Sequence, residues 1–165
     1  MTFKTHELLF PDLGNYFKFS IVRNPWDMTV SMYNYMWHSN HSWPNQWRLQ
    51  LNGQQKNLSF KQWIKSPFFQ TPTIRSADIL LDGGKDGEFS DWVISSNWSL
   101  DFILKLENLQ NDFDIVCDKI GVPHQQLPHY NKTKHKHYTE YYDDETREIV
   151  ARKYSQDIEY FGYKF

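Results

Sequence analysis

The chain has 165 residues, of which 18% are aromatic, and its formal net charge at pH 7 is −2. This length predicts a single domain over residues 1–165, and the aromatic content argues against a disordered tail. The charge argues against a general nucleic-acid binder, because such proteins displace counterions from phosphates with excess positive charge.

Two compositional features bear on the compartment. The single cysteine, Cys117, excludes an internal disulfide framework and a cysteine-based zinc cage. No stretch reaches the ~18 apolar residues that a membrane span needs, and residues 1–10 (MTFKTHELLF) lack the apolar region of a signal peptide. We therefore expect a cytoplasmic protein with no membrane span and no nucleic-acid partner.

The first elements are a strand and a helix. In residues 16–22 (YFKFSIV) apolar and polar residues alternate, which predicts a core strand. Arg23 follows, and then Asn24, Pro25 and Asp27 suit the N-cap, first and third positions of a helix that runs to about His38. This helix carries apolar side chains on several faces, so we expect it to be buried on most sides.

The middle of the chain is less regular. Residues 39–57 are polar and aromatic without a clear period, which indicates a loop over the surface or over a site. Ser59 and Gln62 form an S-x-x-Q capping box that predicts a short helix carrying Trp63 and Ile64. Residues 82–87 (DGGKDG) predict a turn between short extended pieces at 79–81 and 89–93.

The C-terminal half returns to strand and helix signals. Residues 101–106 (DFILKL) predict a second strand, and residues 109–120 have the apolar spacing of a helix that Gly121 and Pro123 end. Cys117 lies on the apolar stripe of this helix, which favours a packed, inert thiol. A last helix begins after Asp143 or Asp144 and runs to about residue 154. The alternation of strands and helices predicts an α/β fold.

The strongest candidate for chemistry is the strand-to-helix junction. Arg23 stands where open α/β sheets collect ligands and where free N–H groups favour anions. Ser31 lies on the helical face that carries residues 24 and 27, so its hydroxyl is available on the side that Arg23 overhangs. A guanidinium and a hydroxyl suit one phosphate group. Spacing alone equally allows a structural reading, in which Arg23 pairs with a carboxylate and Ser31 is a buried polar residue.

Three segments in order resemble one enzyme family. Residues 17–36 (FKFSIVRNPWDMTVSMYNYM) resemble the 3′-phosphate-binding segment of sulfotransferases that use 3′-phosphoadenosine 5′-phosphosulfate (PAPS), particularly the carbohydrate branch. Residues 102–123 are similar to that branch's R-F-E-x-L strand and helix, and residues 127–165 to its closing segment. The resemblance implies a P-loop-NTPase-like parallel sheet flanked by helices, with PAPS as co-substrate and a glycan or small molecule as acceptor.

The resemblance also assigns roles to residues of this chain. It implies that Arg23 and Ser31 bind the 3′-phosphate of PAPS. The loop at 131–138 would approach the nucleotide, and its candidate neighbours of the cofactor are Asn131, Lys132, Lys134, Lys136 and Tyr138. The alternative for these lysines is a solvated loop. We expect no metal there, because the lysines place cations beside any ion and the cluster has no acidic ligand.

The chain departs from the family pattern in two ways. Met28 stands where the family has a second arginine, and Lys105-Leu106 replaces Arg-Phe before Glu107. The family also has a lysine-bearing strand, loop and helix that cradles the 5′-phosphosulfate upstream of the R-N-P segment. Residues 1–15 are too short to hold it, and the glycines at 83–87 lack the following hydroxyl and helix. We therefore expect an N-terminally truncated domain that lacks this strand and helix.

The implied reaction is in-line transfer of a sulfuryl group to an acceptor hydroxyl or amine. His6 is the candidate base and Lys4 the candidate for stabilising the leaving phosphate; a frayed terminus is the alternative for both. Trp43 and Trp47, which lie among polar residues, are candidates for stacking on an acceptor sugar.

Three hypotheses remain open at the level of sequence. The first is a sulfotransferase, incomplete as encoded. The second is a degenerate, non-catalytic relative that binds a nucleotide or a glycan or acts only through protein contacts. The third is a small α/β interaction module without a nucleotide. A missing strand would leave an apolar sheet edge exposed, so we also expect self-association.

Overall fold

The computed structural model describes residues 15–38, 58–70, 100–128 and 136–165. The chain divides into two compact units: unit 1 comprises Met1–Asn24 and Arg75–Tyr130, and unit 2 comprises Pro25–Ile74 and Asn131–Phe165. Each unit is thus built from two separate stretches of sequence. The expectation of a single domain over residues 1–165 stays a prediction.

The elements described by the structure are named here in chain order. They are β1 (Phe19–Val22), α1 (Pro25–His38), α2 (Phe60–Lys65), α3 (Pro67–Gln70), β2 (Phe102–Lys105), α4 (Leu109–Ile120), α5 (Asp144–Lys153) and α6 (Ser155–Phe161). Short 3₁₀ helices occupy Leu106–Asn108 and Tyr138–Tyr141.

Unit 1 contains the sheet. Strands β1 and β2 pair in parallel, with Phe19 opposite Phe102 and Val22 opposite Lys105. Both strands were expected from the sequence, and β1 is confirmed over the second half of its predicted range. Parallel pairing of strands that are separated by helical segments confirms the α/β class.

Helix α4 follows β2 and packs against it. Val116 and Cys117 are buried, as the apolar stripe predicted, so the thiol is confirmed as a packed side chain. Gly121 takes a left-handed conformation with φ 73°, and the N–H of Val122 donates to the carbonyl of Cys117 at 3.0 Å. This closed helix end is the stop that the glycine predicted.

The expectation of a core strand is wrong for the two apolar side chains of β1 that alternate with polar residues. Phe19 is 41% exposed and Ile21 is 48% exposed, whereas Val22 on the other face is buried. The cause is the placement of α4. This helix packs mainly on β2, whose Leu104 is fully buried, and leaves more of β1 exposed to solvent. Alternation fixes the period of a strand but not which face is covered.

The described part of unit 2 is helical and has an aromatic core. Helices α1, α2 and α5 pack together around a buried cluster formed by Trp26, Val30, Phe60, Trp63, Ile64, Phe69, Val150 and Tyr154. Helix α1 has the predicted bounds, and its Trp26 and Val30 are buried while Tyr35 remains exposed. The prediction that α1 is buried on most of its described sides is confirmed except at Tyr35.

Two capping boxes define helix starts in unit 2. Gln62 N–H donates to Ser59 Oγ at 3.3 Å, while the Gln62 side chain accepts from Ser59 N–H at 2.9 Å, as predicted. Asp143, rather than Asp144, caps α5, because its carboxylate accepts the N–H of Thr146 at 2.8 Å. Helices α3 and α6 were not expected from the sequence.

Several expectations lie outside the described residues. These are the loop at 39–57, the turn at 82–87 and the extended pieces at 79–81 and 89–93. Among the residues that the structure describes, no helix combines the length and the apolar character needed to cross a bilayer.

Candidate functional site

Arg23 lies directly after the last residue of β1 in unit 1 and is half-buried. Because β1 and β2 are parallel, their carboxyl ends meet at one edge of the sheet, and Arg23 belongs to that edge. The predicted placement of Arg23 at a strand end is therefore confirmed. Its role as a phosphate ligand stays a prediction.

A carboxylate holds the backbone next to Arg23. The N–H of the buried Asn24 donates to Glu107 Oε1 at 2.5 Å, across 83 residues of sequence. At the last residue of β2, the N–H of Lys105 donates to Asp112 Oδ2 at 2.7 Å. At the carboxyl end of each strand, a backbone N–H group thus donates a hydrogen bond to a side-chain carboxylate. These bonds satisfy donors that the sheet leaves unpaired.

The amino ends of the same strands have a matching contact. The N–H of Lys18 donates to Asp101 Oδ2 at 2.7 Å, and the Lys18 ammonium lies 3.2 Å from that carboxylate. These bonds to Lys18 hold the pKa of Asp101 below its usual value. The sequence distance is again 83 residues, so both ends of the strand pair are closed by an acid of the β2 segment.

Ser31 belongs to unit 2, on α1, where it is half-buried. Two other polar residues of this helix donate to backbone carbonyls four residues earlier, Thr29 to Pro25 at 2.7 Å and Asn34 to Val30 at 2.8 Å. Within the described residues, no such bond engages the Ser31 hydroxyl. The hydroxyl therefore fits the predicted part of an anion ligand, and this part stays a prediction.

Trp26 is a structural anchor that sequence reasoning missed. Its indole Nε1–H donates to the carbonyl of Arg147 at 3.1 Å, and its own carbonyl accepts from Tyr142 Oη at 2.9 Å. Its ring also meets that of Phe165 edge to face, with centroids 5.6 Å apart. These contacts join the first turn of α1 to α5 and to Phe165. No local sequence pattern predicts them.

Met28 has a structural setting that explains the departure from the family pattern. Its side chain is partly buried and packs against the aromatic core of unit 2. A thioether suits this position because it fills irregular apolar space, whereas a guanidinium would need a partner there. The chain thus carries no positive charge at this position.

Lys136 and Tyr138 are the described members of the predicted nucleotide loop. Lys136 is exposed, and its ammonium lies 3.6 Å from the carboxylate of Glu140. Tyr138 is half-buried between the rings of His137 and Phe165, at centroid distances of 4.6 Å and 5.7 Å. Both stay predictions as nucleotide neighbours.

The other predicted site residues lie outside the described residues. They are Lys4, His6, Trp43, Trp47, Asn131, Lys132 and Lys134. Within the described ranges, no group of three or more histidine, cysteine or acidic side chains is arranged to hold a metal ion.

An arginine at the carboxyl edge of parallel strands, followed in sequence by a helix start, defines an α/β protein with a candidate anion site. The sequence model of the sulfotransferase family matches residues 2–164, so the chain belongs to the sulfotransferase family. No curated protein and no solved structure matches it significantly. The resemblance is thereby confirmed for the sulfotransferase family, and the carbohydrate branch stays a prediction. The expected absence of the phosphate-loop strand and helix stays a prediction, because residues 1–14 lie outside the described residues.

Proposed function

We propose that the protein transfers a sulfuryl group from PAPS to a hydroxyl or amine of a carbohydrate or another small acceptor. The family match over residues 2–164 supports sulfuryl transfer as the class of reaction. The observation that carries the proposal for this chain is Arg23 at the carboxyl edge of the parallel strands.

The proposed nucleotide contact is the 3′-phosphate. The guanidinium of Arg23 offers two parallel N–H donors to phosphate oxygens, and the hydroxyl of Ser31 offers a further donor. Both side chains are half-buried, which strengthens a charge-assisted hydrogen bond relative to one in open water. Lys136 and Tyr138, with Asn131, Lys132 and Lys134, would complete the nucleotide neighbourhood.

The proposed reaction is a single in-line displacement at sulfur. The acceptor oxygen or nitrogen forms a bond to sulfur while the bond from sulfur to the bridging phosphate oxygen breaks, and adenosine 3′,5′-bisphosphate leaves. The acceptor proton passes to a base, for which His6 is the candidate, and Lys4 would stabilise charge on the leaving phosphate. Trp43 and Trp47 would stack on an acceptor sugar.

A second candidate function is non-catalytic binding of a nucleotide or a glycan. The packing of Met28 in the core favours it, because an anion site without the family's second arginine has less positive charge for the transition state. Binding without turnover is the outcome that would select this candidate.

Calorimetric titration with adenosine 3′,5′-bisphosphate tests the proposed site. We expect Arg23→Ala to weaken binding by about 10- to 100-fold, the usual cost of losing hydrogen bonds to a charged group. The matched control is Arg152→Ala, which removes an exposed arginine that pairs with Glu148 at 4.0 Å on α5. Adenosine 5′-phosphate, which lacks the 3′-phosphate, should bind equally weakly to the wild type and to Arg23→Ala.

Two outcomes would contradict the proposal. Wild-type protein that fails to bind the bisphosphate would exclude a working PAPS site, and equal affinity of wild type and Arg23→Ala would exclude Arg23 from it. Incubation of wild-type protein with PAPS and a panel of sugar, phenol and amine acceptors then separates the two functions. Release of one bisphosphate for each acceptor molecule that becomes sulfated would support the catalytic function.

A further inference from the structure

We propose that Glu107 is a positioning residue for Arg23: its carboxylate fixes the backbone after β1 and thereby sets the direction of the guanidinium. The inference rests on the proposed function of Arg23. It concerns unit 1 alone, since Arg23, Asn24 and Glu107 all belong to that unit.

The register of the strands explains why Glu107 is in the right place. Val22 is opposite Lys105, and Asn24 and Glu107 each lie two residues beyond that last pair in their own segments. At that point the main-chain ladder has ended, and the Glu107 side chain supplies the acceptor at 2.5 Å instead. Arg23 therefore lies between Val22, which pairs with Lys105 in the sheet, and Asn24, which is hydrogen-bonded to Glu107.

The segment that carries the acceptor is tied to α4. Glu107 lies in the 3₁₀ turn Leu106–Asn108, and the residue before that turn, Lys105, donates its N–H to Asp112 of α4 at 2.7 Å. Asn24 is buried, so losing the acceptor would leave a donor without solvent, which is costly enough to shift the backbone. The hydrogen bond thus ties the backbone next to Arg23 to Glu107.

The charge of Glu107 distinguishes positioning from direct binding. Glu107 binds the residue next to the proposed phosphate ligand, so its negative charge repels a bound phosphate and weakens binding electrostatically. In this proposal its favourable contribution to the site comes from the hydrogen bond to Asn24. Glutamine keeps an acceptor oxygen at that point and removes the repulsion, whereas alanine removes both.

Asp101 provides a matched control within the same strand pair. Its carboxylate accepts the N–H of Lys18 at the opposite end of the ladder, with the same separation of 83 residues. Asp101→Ala therefore also removes a carboxylate and its bond to a backbone N–H, together with the ion pair to Lys18, at the edge that does not carry Arg23. It shows what the loss of a carboxylate elsewhere in the strand pair does to binding.

The experiment titrates wild type, Glu107→Ala, Glu107→Gln and Asp101→Ala with adenosine 3′,5′-bisphosphate, and follows hydrogen exchange of the Asn24 amide. We expect Glu107→Ala to weaken binding about tenfold, Glu107→Gln to bind as well as wild type or up to a few-fold more tightly, and Asp101→Ala to bind as wild type. The Asn24 amide should exchange faster in Glu107→Ala alone.

The failures are distinguishable. Wild-type binding that Arg23→Ala removes but Glu107→Ala leaves intact would overturn this inference alone. So would equal weakening by Asp101→Ala and Glu107→Ala, or by Glu107→Gln and Glu107→Ala. Absence of bisphosphate binding by the wild type would overturn the proposed function and this inference together.

Discussion

Two partly buried tyrosines of unit 2 form hydrogen bonds through their hydroxyls to backbone carbonyls. Tyr142 donates to the carbonyl of Trp26 at 2.9 Å, and Tyr33 donates to that of Leu58, also at 2.9 Å. Burial raises the pKa of both hydroxyls above the ordinary value of 10.0. Each hydroxyl therefore remains a protonated donor at neutral pH, and each bond crosses from one helical segment to another.

The Tyr142 bond gives a test at the scale of one hydroxyl. Tyr142→Phe leaves the Trp26 carbonyl without this donor, so we expect the free energy of unfolding to fall by about 1 kcal/mol. Tyr160→Phe is the matched control, because the Tyr160 side chain is half exposed and should change stability by less than ~0.5 kcal/mol. Urea unfolding at pH 7 measures both, and equal effects would contradict the assigned bond.

Sequence predicts some residue roles and not others, for a physical reason. The end of β1 at Arg23 follows from the alternation of apolar and polar residues along the strand. The burial of Cys117 follows from the spacing of apolar residues along its helix, so the sequence predicts both. The bond from Asn24 to Glu107 spans 83 residues, and the contact between Trp26 and Arg147 spans 121. Such contacts depend on the register and packing of distant segments, which local pattern does not encode.

At the scale of elements, α2 and the start of α5 are joined by ion pairs. Lys61 Nζ lies 2.6 Å from Asp143 and 3.2 Å from Glu145, and Lys65 Nζ lies 2.7 Å from Glu145. The hydrogen bond from Lys61 holds the pKa of Asp143 below its usual range, and that from Lys65 does the same for Glu145. Both carboxylates are exposed, so salt should weaken these pairs.

The sign of these shifts predicts a dependence on pH. A carboxylate whose pKa is lowered by folding stabilises the protein above its unfolded pKa, about 3.9 for aspartate, and loses that contribution as the pH falls through the folded value. We expect Asp143→Asn, which keeps a good N-cap, to lower the melting temperature at pH 7 by roughly 1–3 °C and to flatten its decline below pH 4.

Thermal melts between pH 2 and 7, with and without 0.5 M salt, measure this effect. Asp144→Asn is the control, since it makes the same charge change one residue away, where Asp144 pairs with Arg147 at 3.2 Å. Equal pH profiles of Asp143→Asn and the wild type would contradict the assigned pairing.

Element boundaries were predictable where one residue sets them. Ser59 and Gly121 each act through the backbone within three or four residues, and both predictions are confirmed. The exposure of Phe19 and Ile21 on β1 was not predictable, because the burial of a strand face depends on which distant segments pack on it. Helix α6 was also missed: the chain breaks at Tyr154, with φ −114° and ψ 30°, and becomes helical again at once.

At the scale of the whole molecule, the aromatic excess of the composition has a structural use. Five of the eight buried residues in the core cluster of unit 2 are Trp, Phe or Tyr, contributed by three described segments. Aromatic rings bury a large area per residue, so a few helices of 4 to 14 residues suffice for this core.

This arrangement predicts that small losses in the core have a large effect. Val150 is fully buried on α5, and Val150→Ala should lower the free energy of unfolding by about 2 kcal/mol through lost burial and a residual cavity. Val122→Ala makes the same chemical change at an exposed position and should cost less than ~0.5 kcal/mol. Urea unfolding of the two variants checks the difference; similar midpoints would contradict the core assignment.

The parallel pairing of β1 with β2 also has a consequence for synthesis on the ribosome. Each residue of β1 waits for a partner 83 positions later, since Val22 pairs with Lys105. At about 5–20 residues per second, roughly 4–17 s pass between translation of the two strands. During that interval the nascent chain carries the apolar segment around Phe19 and Ile21 without its strand partner. Throughout that time the backbone N–H and C=O groups of β1 are therefore without the ladder partners that β2 later supplies.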